Sequence, residues 1–585
     1  MAFQELLDQV GGLGKYQILQ MVLIFPSLMV LLCQIFLENF TAAIPGHRCW
    51  VNILDNDTVS DNDTEILSPD ALLRISIPMD SDLRPDKCHR FIHPQWQLLH
   101  VNGTFTNMTE PDKETCLDGW VYDQSSFPST IITEWDLVCS YQSQKSVVQF
   151  LFMTGMLVGG LIGGHLSDRF GRKLILRWCL LQLTIFGTSA AFAPTFLIYC
   201  LLRFLSGCAS IIILMNGSLL SKSDFDLLHF PSLNLTLKFH LCLTLISQLG
   251  FLSVIEWIRP SSKVMAITLI SCALSLGQMI LGGLAFLFRG WRTLQLVVSV
   301  PFLVFFFSSR WLVEPARWLI INNKPEEGLK ALRKVAHING MKNAGDILTM
   351  EGLRSSMQDE LEAAQTKTTV CDLFCTPDLR KRICLLLFVR FAIVIPFYGI
   401  TINLQHFGSN IFLFQVVFGA LTALVRCLPL LVQNHMGRRT TQTVFMFLVG
   451  LSILANTFVP QEMQTLHVAL ASAGISFAAA SATSFSVHLS ELIPTVLRAR
   501  ALGLDTLASR CGAVLAPLLM TLTAYLSALP WIIYGVFPII AGLVVLLQPE
   551  TREMPLLDTI HDVKNNKEFS RKVKEINSSV KMTKF

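Results

Sequence analysis

Apolar runs near 20 residues long recur from residue 18 to residue 547 of this chain, parted by short polar turns and a few longer polar segments. A run of that length crosses about 30 Å of hydrocarbon as a helix. Only 15% of the residues are charged, against about 25% in soluble domains. The chain is therefore expected to be an all-α polytopic membrane protein. The net charge of +4 says little, because orientation depends on where the charges lie. The amino-terminal stretch MAFQELLDQVGGLGKYQ carries acids and lacks the basic start and short apolar core of a signal peptide. The first span is expected to act as the membrane signal and to be retained.

Twelve spans fit the pattern, arranged as two six-helix halves. A cytosolic amino terminus covers 1–17, the first half 18–312, a cytosolic loop 313–382, the second half 383–548 and a cytosolic tail 549–585. A large polar loop, 37–144, separates spans 1 and 2. It carries Cys49, Cys88, Cys116 and Cys139, enough for two disulfides in an oxidising compartment, with three pairings open. It also carries Asn-x-Ser/Thr sequons at Asn39, Asn56, Asn62, Asn102 and Asn107. Glycosylation places this loop outside the cell. Basic clusters at 169–173, 313–382, 438–439, 498–500 and in the tail then fall together on the cytosolic side, as the positive-inside bias requires. Arg289 and Arg292, in a short outer turn, are the exceptions.

The stretch 163–173, GGHLSDRFGRK, packs both charge signs into a short turn between spans 2 and 3. Gly437-Arg438-Arg439 recurs after span 8, at the equivalent place of a second half, and parallel repeats of this kind mark transporters. Glu256 after span 4 is matched by Glu491, with Arg498, after span 10. Gly437 to Glu491 is 54 positions, whereas Gly171 to Glu256 is 85. The surplus falls at 221–253, which reads as an atypical insertion at the cytoplasmic end of span 4. A further full span there would invert every later loop. The charges of Asp168, Arg169, Arg172 and Lys173, with Gly164 and Gly171, are expected to bridge helix ends in one access state and to release them in the other.

Charged residues inside spans cost about 2.5–3.5 kcal/mol each on insertion scales, so they are candidates for function. Arg390 in span 7, Arg426 in span 8 and Arg510 in span 11 each lie about eight residues, or about 12 Å, from a cytoplasmic span end. Together they form a candidate cationic patch for an anion, since a guanidinium fork fits carboxylate or sulfate. Asp505 and Arg510 are five apart on one helix and so are not natural partners. Phe397 and Tyr398 on span 7 could hold a ring system. Arg203 in span 4 has no partner evident from sequence. No Walker-type phosphate loop and no His-Glu-x-x-His zinc motif occur, so neither an enzyme, an ATP-driven pump, a cofactor nor a metal site is expected.

Gly164-x-Leu-x-Asp-Arg-x-Gly-Arg-Lys173 resembles the loop 2–3 signature of the major facilitator superfamily, and Asn434-x-x-Gly-Arg-Arg439 its second-half copy. Glu314-Pro-Ala-Arg-Trp-Leu319 resembles the signature after span 6 in solute carrier family 22, and Pro549-Glu550-Thr551 its ending. The cysteine-rich first loop is similar to that of the organic anion transporters. Pro315 stands where serine is usual and Asn434 where aspartate is common. The resemblance implies a twelve-helix major facilitator fold and secondary active transport of amphipathic organic anions (steroid conjugates, urate or carboxylates) across the plasma membrane. It aligns Arg426 and Arg510 with basic positions of the organic anion transporters, places substrate-facing aromatics near Phe397 and Tyr398, and makes Arg203 a gating or coupling residue. The implied partners are a small organic anion, a counter-anion in an exchange mode, and membrane lipid, with no nucleic acid. Two other functions fit parts of the sequence: a cation or zwitterion carrier of the same family, and a transport-inactive membrane protein with an interrupted span 4.

Overall fold

In a computed structural model of the chain, the structure describes residues 26–55, 68–79, 84–96, 112–216, 260–312, 314, 316–321, 324–341, 349–351, 353, 372–408, 410–460 and 462–551. The insertion at 221–253, Glu256 and the sequons at Asn56, Asn62, Asn102 and Asn107 lie outside them.

Among the described residues the spans are helical. Span 1 is Pro26–Thr41. Spans 2 to 5 are Gln144–Phe170, Arg172–Ala190, Phe196–Asn216 and Pro260–Leu287. Span 6 is Trp291–Trp311. Span 7 is Pro377–Ile402, and span 8 is broken into Ile411–Val425 and Leu428–Met436. Spans 9 to 12 are Arg438–Phe458, Gln464–Leu492, Thr495–Leu519 and Leu529–Val545. Seven helices are long and apolar enough to cross a membrane, and four more are apolar but shorter. Span 3 falls outside both groups; Arg172, Lys173 and Arg177 all lie in its first two turns.

The chain divides into two units. The first holds the helical spans: Met1–Asn39, Ser146–Leu287 and Gln295–Phe585. Spans 2 and 4 approach closely through Gly155, Gly159 and Gly163, spaced four apart on one helix face. A Cβ at these positions would collide with the Phe204 and Cys208 carbonyls and the Ile212 side chain. Small residues every fourth position allow this backbone contact where no hydrophobic drive operates between helices. After span 6, Ala316–Ile321 and Pro325–Ile338 close a small core of their own from Trp318, Leu319, Leu332, Val335 and Leu353.

The second unit is Phe40–Lys145 with Phe288–Leu294. Its strands are short antiparallel pairs, His47–Cys49 with Trp120–Tyr122 and His89–Phe91 with Lys113–Thr115. The pairing left open by the sequence is Cys49–Cys116 and Cys88–Cys139. The exceptional arginines also find partners here. Arg292 forms an ion pair with Glu134, Trp291 Nε1 donates to the same carboxylate at 2.9 Å, and Arg289 donates to the Ser125 carbonyl at 3.3 Å. Their charge is used inside this unit, which accounts for their departure from the basic bias.

Two boundaries next to polar motifs differ from the sequence reading. The motif 163–173 is not a loop: span 2 stays helical through Phe170, and the turn is Gly171 alone, at φ +94°. Span 1 continues to Thr41, so Glu38 and Asn39 belong to helix and not to the polar loop. Hydropathy ends a span at the first charge, whereas a helix continues wherever the charge finds a partner.

Candidate functional site

Span 7 carries Arg390, Phe397 and Tyr398, and its helix begins at Pro377, earlier than hydropathy indicates. Span 11 likewise begins at Thr495. Arg390 therefore lies 13 residues and Arg510 15 residues inside their helices, about 20 Å and 22 Å along the axis. Both helices thus begin one to two turns before the span ends that hydropathy marks.

Arg390 is a correction. Its Nε and Nη2 both donate to Asp505 Oδ2 of span 11 at 2.9 Å, and its guanidinium lies 5.2 Å from the Phe485 ring centroid. Asp505 is almost fully buried. The charge of Arg390 is neutralised, so it ties span 7 to span 11 and does not offer an open cation. Sequence reasoning weighed Asp505 only against Arg510, its neighbour on the same helix.

Arg510 differs. Its Nε is buried and makes no hydrogen bond among the described residues. A buried N–H left unpaired costs about 1–3 kcal/mol, more for a charged group. Arg426 sits at the break in span 8, as the residue capping Ile411–Val425. A broken span is where backbone irregularity meets a cavity or packed protein in a membrane. Arg426 is within electrostatic reach of Tyr398 and of Cys272 on span 5. Tyr398 stands 6.0 Å from the Phe36 ring of span 1 and 5.5 Å from Phe397. Tyr398, Phe397 and Phe36 thus form one aromatic cluster drawn from both halves, with Arg426 within electrostatic reach of it.

Sequence left Arg203 without a partner. It is fully buried, and its Nε donates to Glu38 at 2.6 Å, Nη1 to Gln34 Oε1 at 2.9 Å and Nη2 to the Gln34 carbonyl at 3.0 Å. Phe152 of span 2 covers it at 4.4 Å. Glu38 went unrecognised because it follows the apolar run of span 1.

Asn39 is a second correction. It is buried among the spans, and its Nδ2 donates to the Thr401 carbonyl at 2.8 Å and to Gln415 at 3.3 Å. A glycan needs that nitrogen free and exposed. Glycopeptide mass spectrometry is expected to find Asn39 unmodified; a glycan on Asn39 would contradict its placement.

The two glycine turns are built alike. Gly171 and Gly437 both take left-handed φ, +94° and +85°, and start spans 3 and 9. At the first, Glu314 Oε1 accepts from the Arg172 N–H at 2.6 Å, and Glu314 Oε2 from Lys173 at 3.3 Å. At the second, Glu550 accepts from the Arg438 and Arg439 N–H groups at 2.8 and 3.1 Å. Each carboxylate fills the role of a helix cap and complements the helix dipole. Glu491 adds a pair with Arg438 at 3.2 Å and accepts from Thr551 at 2.5 Å. These contacts tie the starts of spans 3 and 9 to the residues that follow spans 6 and 12. Arg169 lies against Phe170. Gly164 is buried, and the side chains of Asp168 and Arg498 are outside the described set. Replacing Glu314 or Glu550 by alanine is expected to cost about 0.5–2 kcal/mol each. Thermal unfolding in detergent measures this, and unchanged melting in either variant contradicts the capping role.

Comparison with known proteins fits this geometry. The family model for sugar (and other) transporters matches residues 99–215 and 262–560. Human solute carrier family 22 member 10 is 65% identical over 567 residues, covering 97% of this chain and 99% of the relative. The chain belongs to solute carrier family 22, within the major facilitator superfamily. Steroid transmembrane transporter SLC22A24 is 57% identical in Microcebus murinus and 56% in Homo sapiens, each over the full 585 residues. Among solved structures, the partially occluded inward-open xylose transporter XylE from E. coli matches with a TM-score of 0.52 at 16% identity, over 71% of this chain and 90% of that one. That likeness shows the fold. As a member of this family the chain is a membrane transporter of small molecules and not an enzyme.

Proposed function

We infer that this transporter carries amphipathic organic anions across the plasma membrane by alternating access, with both termini in the cytosol. The observation that carries the reading is the buried Nε of Arg510, which has no hydrogen-bond partner among the described residues. A sulfate or carboxylate supplies the acceptor it lacks, held by the guanidinium fork. Arg426 at the break in span 8 adds a second basic position, and Phe36, Phe397 and Tyr398 offer flat faces for a fused-ring body. Relatives named steroid transmembrane transporter support a steroid conjugate as the first substrate to try. Arg390 is left out of the binding set because Asp505 neutralises it. Asp168, Arg169, Arg172, Lys173, Arg438 and Arg439, with Glu256, Glu491, Arg498 and Arg203, are assigned to holding or releasing the access states.

Uptake of a labelled steroid sulfate against a labelled organic cation tests the substrate sign. Anion uptake that saturates, with no cation uptake, supports the reading; the reverse overturns it. The same assay on a chain lacking 221–253 tests whether that segment is compatible with transport. If both forms reach the surface and neither moves an anion, the carrier reading fails.

A further inference from the structure

Spans 5 and 8 pack antiparallel across the boundary between the halves, and their register can be followed residue by residue. Phe286 meets Phe412 with ring centroids 6.0 Å apart. One turn further, Gly282 faces Val416 and the Phe412 carbonyl, and Gly419 then faces Ser275 and Met279. Steps of three to four residues on one span match equal steps on the other, as packed helices require. The same register sets Cys272 opposite 426–427. Cys272 Sγ and Cys427 Sγ both lie 3.9 Å from one acceptor, the Ala423 carbonyl, which makes the two thiols neighbours. Cys427 is exposed and Cys272 half-buried. Another neighbouring pair of thiols, Cys179 with Cys208, lies wholly in the first half, on spans 3 and 4. Cys272 and Cys427 belong to different halves.

We propose that Cys272 and Cys427 are a redox-sensitive dithiol, which hydrogen peroxide converts to a disulfide that joins the two halves and arrests transport. The exposed Cys427, as thiolate, attacks one peroxide oxygen. The O–O bond breaks, the departing hydroxide takes a proton to become water, and Cys427 becomes a sulfenic acid. Cys272, as thiolate, then attacks that sulfur. The S–S bond forms, the S–O bond breaks, and the second hydroxide leaves as water. The thiols lose two electrons in all, and one peroxide is reduced to two waters. A small thiol reductant reverses the bond by exchange. The arrest follows because alternating access needs the halves to repack along such a boundary, and a covalent bond holds spans 5 and 8 in one packing. The arrest rests on the transport reading above; formation of the bond does not.

The test uses the full-length protein in cell membranes, exposed to hydrogen peroxide, alkylated and digested. Mass spectrometry looks for the linked Cys272–Cys427 peptides while uptake of labelled steroid sulfate is followed in parallel. The linked pair is expected, uptake falls to that of cells lacking the protein, and dithiothreitol restores both. Cys427→Ser and Cys272→Ser are each expected to keep basal uptake and lose the peroxide effect; if one fails to reach the surface, the other decides. Absence of the linked pair in the parent protein, or equal peroxide inhibition in the serine variants, overturns the proposal. A link that forms in a chain moving no anion in either state upholds the dithiol and overturns the transport reading.

Discussion

Replacing Arg510 with glutamine abolishes uptake of a labelled steroid sulfate while the protein still reaches the cell surface. Among the described residues Arg510 Nε has no hydrogen-bond partner to lose, so the substitution disturbs little of the packing. It does remove a charged donor that an anion would meet. A hydrogen bond to a charged group contributes about 1.5–3 kcal/mol, or about 10- to 150-fold in affinity. Lysine restores the charge without the planar fork, so Arg510→Lys is expected to recover only part of the uptake. Surface labelling separates loss of transport from loss of protein. Full uptake by Arg510→Gln at normal surface level removes Arg510 from the site.

The second large effect falls on stability. Arg203→Ala leaves Glu38 buried in the spans without its guanidinium. Breaking a buried ion pair from one side costs about 3–5 kcal/mol, because the remaining charge is uncompensated. Loss of mature protein from the surface and a lowered melting temperature in detergent are expected. Glu38→Gln placed in the same chain removes the stranded charge and recovers most of that loss. Had the charge been idle, Arg203→Ala would melt like the parent and the double variant would gain nothing. The contrast with Arg510 separates the two arginines: one is satisfied within the fold and the other is not.

The spans were legible because hydrocarbon imposes both length and composition. The pairing of Gly171 with Gly437 was legible too, since glycine at left-handed φ and the basic residues after it recur in the chain itself. The carboxylates that complete these turns were not matched to them. Glu314 and Glu550 sit 142 and 112 positions from the N–H groups they cap, a distance no local pattern spans. Arg390 shows the same limit: its acid, Asp505, lies on another helix, and sequence alone judges only same-helix spacing. Glu38 and Asn39 were assigned to the loop because a charge and a sequon look like exposed surface. Their partners Arg203, Thr401 and Gln415 come from spans 4, 7 and 8. Each miss concerns a polar group buried by tertiary packing, which periodicity does not report.

The anion reading meets its most direct test in purified protein reconstituted into liposomes, with labelled steroid sulfate and a labelled organic cation offered in turn. The account predicts saturable, time-dependent entry of the sulfate that Arg510→Gln eliminates, and no entry of the cation above empty liposomes. Entry of the cation alone, or sulfate entry unaffected by loss of Arg510, would contradict it.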